Sequence, residues 1–184
     1  MITIIGIAGS LRAGSYNMAL LRAAAELISP ETTLEIASIR EIPLYDADVE
    51  AQGIPDSVQK LKDRVASSHG LLLATPEYNN SIPGVFKNAI DWLTRPPKDI
   101  ALVFRNRPVA MMGATPGGGG TILAQNAWLP VLRTLGTRPW FGSRLIVSGA
   151  NKLFDETGKL TDEPTREKLK GFVAGFETFI KTSH

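Results

Sequence analysis

The chain has 184 residues, about one domain's worth, with 43% hydrophobic and 21% charged residues, which excludes wholesale disorder and leaves material for a sizeable core. Twenty Lys and Arg against eighteen Asp and Glu give a net charge of +2, too little to make nucleic acid or an anionic membrane surface a partner. There is no cysteine, so disulfides, thiolate metal sites and cysteine nucleophiles are removed together, and redox chemistry requires a bound cofactor.

The N-terminus has no basic segment ahead of its apolar residues, and no apolar run approaches a membrane span. The chain therefore reads as a soluble cytoplasmic protein without membrane insertion. Residues 2–8 form a β-branched run without alternation, which suits a strand buried on both faces of a parallel sheet. Residues 17–28 carry Met18, Leu20, Leu21, Ala24, Ala25 and Ile28 among good helix formers, and Pro30 ends the helix. The same grammar recurs as a strand at 33–38, a helix following Pro55 and Asp56, and a strand at 70–75. A helix at 84–93, a strand at 108–113, a helix at 121–135 bent by Pro130, a strand at 144–148 and a closing helix at 165–181 complete the series. Alternating strands and helices imply a three-layer α/β domain spanning the whole chain, with a five-stranded, doubly wound parallel sheet. Ligands of such sheets bind beyond the carboxyl ends of the strands, where the strand order reverses, so the loops after Ala8, Thr75 and Gly113 are the places for chemistry.

The first loop, residues 9–17, is rich in groups that hold an oxyanion: the Ser10 and Ser15 hydroxyls, the Arg12 guanidinium, the Asn17 amide and the backbone N–H groups of a helix start. Ser15 stands where a nucleoside triphosphate loop needs lysine, and Gly6, Gly9 and Gly14 lack dinucleotide-fingerprint spacing. A phosphate monoester is the better reading, an ordinary capped turn the plainer one. The low-mass tyrosine phosphatase reaction also uses an anion loop after the first strand, but it needs a cysteine nucleophile and is excluded. In the second loop Pro76 and Pro83 stiffen backbone groups able to read a planar heterocycle, and Tyr78 offers an aromatic surface. The third loop has four consecutive glycines after Thr115 and Pro116; they allow close approach of a flat ligand or simply make the loop flexible.

Gly-Ser-Leu-Arg-x-Gly-Ser-x-Asn at 9–17 and Pro-Glu-Tyr-Asn-x-Ser-x-Pro-Gly-x-x-Lys-Asn-Ala-Ile-Asp-Trp at 76–92, with Pro-Leu-Tyr-Asp-Ala-Asp at 43–48, resemble the NADPH-dependent FMN reductase family. That family includes bacterial quinone, chromate and azo-dye reductases. The resemblance implies a flavodoxin-like fold, an FMN phosphate on Ser10, Arg12, Ser15, Tyr16 and Asn17, and flavin-ring contacts from Pro76, Glu77, Tyr78, Asn79 and, nearby, Ser81. Thr115, Pro116, Gly117, Gly118 and Gly119 would close the ring's other side.

By the same resemblance, NADPH or NADH delivers hydride to the flavin and leaves before a quinone or other small-molecule electron acceptor enters, a ping-pong order. No side chain is needed as nucleophile or metal ligand, and glycine-loop N–H groups would stabilise the reduced ring. A homodimer or homotetramer is implied, with residues 84–93 as a contact. The alternatives are a flavodoxin-like electron carrier, usually strongly acidic where this chain is +2, and a flavin-binding regulatory module without turnover. Elsewhere, His69 reads as a helix-end residue meeting the last carbonyls, His184 as a terminal residue, and Lys98, Arg105 and Arg107 as a solvated basic loop in preference to a site for the NADPH 2′-phosphate, which arginine would suit. Trp92, Trp128 and Trp140 read as core or interface residues, and Lys87 and Asp91 as a helical pair.

Overall fold

The computed structural model describes residues 1–182, so the reading of His184 lies outside the described residues. Strands β1 (Ile2–Ala8), β2 (Thr32–Ala37), β3 (Gly70–Ala74), β4 (Pro108–Ala114), β5 (Arg138–Pro139) and β6 (Leu145–Val147) form one parallel sheet in the order β2-β1-β3-β4-β5, with β6 also on β4. The order reverses between β1 and β3, so their carboxyl ends define the switch point.

Successive residues of the central strands point to opposite faces and feed two separate cores. Ile4, Ala8, Leu72, Ala110 and Met112 pack with α1 (Tyr16–Leu27) and α7 (Glu163–Lys181). Ile5, Ile7, Leu71, Leu73 and Val109 pack with α3 (Asp56–Ala66), α4 (Gly84–Leu93) and α6 (Ile122–Thr134). Each fully buried Leu or Ile is worth about 1.5–3 kcal/mol, which is why these strands need no polar alternation.

The sequence reading of five strands is corrected in one place: the fifth position of the sheet holds two short strands. β5 pairs with the start of β4, Trp140 still donates its N–H to Val109 at 2.8 Å, and β6 resumes at Met112↔Leu145. Between them the chain leaves the sheet because Trp140 packs its ring on α7, with centroids 5.2 Å from Phe172 and 5.9 Å from Phe176. Gly175 makes room for it, since a Cβ there would lie 2.7 Å from Trp140 Cζ2. Two helices were not read from the sequence, α2 (Ala47–Gln52), which buries no residue, and the five-residue α5 (Ile100–Phe104). Pro130 lies inside α6, which continues through it.

Two further readings are corrected. Arg107 is not a solvated loop residue. Its guanidinium donates to the carbonyls of Val103 and Ser68, to Ala66 O at 3.1 Å and to Leu102 O at 3.2 Å, tying the end of α3 to α5. His69 engages β1. Its Nδ1 accepts the Thr3 N–H at 3.0 Å and its own N–H donates to Thr3 O at 2.8 Å, extending the pairing along β1. Trp92 and Trp128 are core residues, and Lys87 pairs with Asp91 at 2.8 Å. No described helix is long and apolar enough to cross a membrane.

Candidate functional site: a cavity at the switch point

The first and second loops leave the sheet side by side. Gly9 donates to Ala74 O at 2.9 Å, and a Cβ on Gly9 would lie 2.2 Å from Phe86 Cδ1 and 2.9 Å from Pro76 Cδ, so only glycine lets the two loops meet. Ser10 Oγ accepts the Arg12 N–H at 3.3 Å. Ser15 caps α1 by accepting from Met18 N at 3.3 Å, which leaves its O–H free to donate. Arg12 donates to Gly14 O and lies 5.6 Å from the centroid of the Tyr16 ring, which fixes the guanidinium beside the start of the helix. The first turn of α1 carries no acidic residue, so the positive end of the helix dipole and Arg12 add at this point.

Asn17 is placed differently from the phosphate role given to it above. It is buried, its Nδ2 donates to Ala114 O and its Oδ1 accepts from Ala114 N, both at 2.9 Å. One amide hydrogen remains for a ligand; the rest of the group fastens α1 to the end of β4. The Glu77 side chain is likewise committed to the protein. Its Oε2 accepts from Leu123 N at 2.8 Å and Ala124 N at 3.0 Å, so it caps α6, whose own Thr121 makes no side-chain cap. Tyr78 and Ser81 exchange backbone hydrogen bonds at 3.2 and 3.0 Å across Asn79 and Asn80, whose φ angles are 50° and 61°, a tight turn with both central residues left-handed. Asn79 is there as a turn former.

The third loop is held by the segment after β6: Gly149 N donates to Gly117 O at 3.2 Å, Ser148 Oγ to Gly118 O at 2.9 Å and Ala150 N to Thr115 O at 2.9 Å. Close packing decides the flanking glycines. A Cβ on Gly113 would sit 1.9 Å from Thr121 Oγ1, and Gly120 combines φ +62° with a Cβ position 1.9 Å from Ile146 Cγ2.

These loops enclose a cavity of about 400 Å³, within the usual range for small-molecule sites. Ser10, Arg12, Ser15, Tyr16, Asn17, Pro76, Glu77, Tyr78, Thr115 and Pro116 line it, joined by Ala114, which the sequence reading missed because it contributes through backbone at a strand end. Asn79, Ser81, Gly117, Gly118 and Gly119 do not line it. Among the described residues no group of His, Asp and Glu is placed to hold a metal ion.

The donor set fits an aromatic ring bearing a phosphate: a cationic helix start with two hydroxyls at one end, and at the other two opposed loops around Tyr78, which is 53% exposed. A doubly wound parallel sheet with this site at its switch point defines a flavodoxin-like flavoprotein. Comparison with known proteins makes this specific. Residues 2–152 match the NADPH-dependent FMN reductase family. The NAD(P)H-dependent FMN reductase of Pseudomonas aeruginosa is 39% identical over 180 residues, covering 98% of this chain and 96% of that protein. A quinone reductase of Escherichia coli is 33% identical over 184 residues, covering 97% and 95%. The structure of FerB, a flavoenzyme NAD(P)H:(acceptor) oxidoreductase from Paracoccus denitrificans, superposes with a TM-score of 0.90 at 34% identity, covering 100% of this chain and 99% of that one. The chain belongs to the NADPH-dependent FMN reductase family and is an oxidoreductase of that family.

Proposed function

We propose that the whole chain is one FMN-binding domain that transfers hydride from NADPH or NADH to quinones or other small acceptors, in a ping-pong order. The observation that carries the reading is the convergence of three loops on one cavity whose phosphate end is built from Arg12 and the start of α1. FMN, when bound, supplies the centre that accepts and returns hydride. The protein's part is positioning. Ser10, Arg12 and Ser15 hold the phosphate, with Tyr16 supporting Arg12 and Asn17 offering its one remaining amide hydrogen. Backbone groups of Pro76, Glu77 and Tyr78 border the ring on one side, and Thr115 and Pro116 on the other. Asn79 and Ser81 shape the Tyr78 turn, and Gly117, Gly118 and Gly119, outside the cavity lining, carry the loop that holds Thr115 and Pro116 against it. Nucleotide and acceptor use the open side of the cavity in turn. The reading extends to a cytoplasmic homodimer or homotetramer, in keeping with the family motifs.

The test is the visible spectrum of the purified protein under anaerobic conditions. A flavin spectrum that bleaches with NADPH and returns with a quinone supports the proposal. A flavin that stays oxidised favours a carrier or regulatory module, and failure to bind FMN refutes every flavin-based reading.

A further inference from the structure

A second cleft lies on the other side of the first loop. It measures about 140 Å³ and shares only Ser10 and Arg12 with the flavin cavity. Its floor is apolar, from Ala8 and Ile39 at the carboxyl ends of the strand region, and its charged lining consists of Arg12, Arg22 and Arg40. No Asp or Glu lines it. None of these guanidinium groups forms an ion pair among the described residues. Nearby basic residues are not in this position: Arg64, in the next cleft, pairs with Glu35 at 3.2 Å, and that cleft also contains Glu41. Arg40 is set in place from both ends, since its N–H donates to Ser38 Oγ at 3.1 Å and its guanidinium to Leu11 O.

Converging cations without a carboxylate repel one another, and an anion relieves that repulsion. Arginine matches phosphate oxygens with paired N–H donors, and a phosphate monoester carries roughly −1.5 to −2 charges at neutral pH. In the function proposed above the flavin phosphate takes the α1 side of Arg12, where the flavin cavity lies. Building on the function proposed above, we infer that the Arg12, Arg22 and Arg40 cleft is the subsite for the 2′-phosphate of NADPH. It thereby sets the preference between NADPH and NADH. Arg22 is the best probe, because it is exposed and makes no hydrogen bond or ion pair among the described residues, so its loss leaves the fold intact.

The experiment is calorimetric titration of the FMN-loaded protein with adenosine 2′,5′-bisphosphate and with adenosine 5′-monophosphate, in wild type, Arg22→Ala and Arg40→Lys. The proposal expects the bisphosphate to bind at least tenfold tighter than the monophosphate in wild type. Arg22→Ala should remove most of that difference and Arg40→Lys part of it, with monophosphate and FMN affinities unchanged. Equal binding of the two nucleotides by wild type overturns the subsite. Unchanged selectivity in both variants does the same, and a loss confined to FMN affinity reassigns the cleft to the flavin phosphate. Selective bisphosphate binding in a protein whose flavin is never reduced by NADPH would support the subsite and sink the proposed reaction.

Discussion

Replacing Glu77 by alanine separates two roles that the sequence merges. The carboxylate accepts from Leu123 N at 2.8 Å and Ala124 N at 3.0 Å, and neither Thr121 nor any acidic residue in the first turn of α6 can substitute for it. Loss of a helix cap costs about 0.5–2 kcal/mol, and loss of an anion at a helix N-terminus about 0.3–1 kcal/mol. The two contributions overlap, so Glu77→Ala should destabilise the protein by about 2 kcal/mol. For a chain of this size each kcal/mol moves Tm by roughly 2–4 °C, giving a fall of about 4–8 °C. Glu77→Gln keeps an oxygen acceptor and loses the charge, so its fall should be about half as large. Thermal unfolding by circular dichroism, with an FMN titration alongside, checks this. If Glu77→Ala melts within about 1 °C of wild type while FMN affinity drops tenfold, about 1.4 kcal/mol, the carboxylate serves the ligand and the capping argument is wrong.

Arg12→Ala should weaken FMN by about 10- to 100-fold, the worth of a charge-assisted hydrogen bond of roughly 1.5–3 kcal/mol, with little change in the melting of the FMN-free protein because the side chain is exposed. Quenching of flavin fluorescence measures it. Gly113→Ala places a Cβ 1.9 Å from Thr121 Oγ1 and 2.5 Å from Thr75 O, and the overpacking should cost about 1–3 kcal/mol in urea unfolding. An unchanged midpoint would mean that the β4 end is looser than the distances say. Asp162 caps α7, and the side-chain and then backbone hydrogen bonds from Thr165 hold its carboxyl below the ordinary value of 3.8. A depressed folded pKa contributes stability that is complete above 3.8 and lost as pH falls through the folded value, so Asp162→Asn should lower stability at neutral pH, where that contribution is full, and change it least below about pH 4, which flattens the acid limb of the curve measured by unfolding across pH.

Legibility in the sequence followed burial. β1 and α4 stand where the residues put them, because strands covered on both faces read as unbroken apolar runs and α4 carries a clear stripe of Phe86, Ala89, Ile90 and Leu93. α2 gave no periodic signal since it buries nothing, and α5 is too short for a period to show. The interruption of the fifth strand depends on Trp140 finding Phe172 and Phe176 more than thirty residues later, which no local window contains. Distance along the chain also hid the side-chain assignments. Asn17 meets Ala114 across 97 positions, Glu77 meets Leu123 across 46, and Arg107 meets Ser68 across 39. A loop read alone offers its polar groups to a ligand; the folded chain has already claimed several of them.

Those claims explain how the cavity is held in shape. Asn17 ties the first loop's helix to β4, Glu77 ties the second loop to α6, and Thr75 Oγ1 accepts from Trp128 Nε1 at 3.1 Å beneath both. The glycine segment, costly to order by itself, is pinned at Gly117 O and Gly118 O by residues following β6. The conformational entropy of these loops is therefore lost on folding, not on binding, and a ligand meets donors that are already oriented. Among the groups left uncommitted at the first loop and its neighbouring cleft are the Ser15 O–H, the spare amide hydrogen of Asn17 and the guanidinium faces of Arg12 and Arg22, which are donors. Donors gathered at the first loop favour an anion at that end of the cavity, and that preference follows from how the loops brace one another.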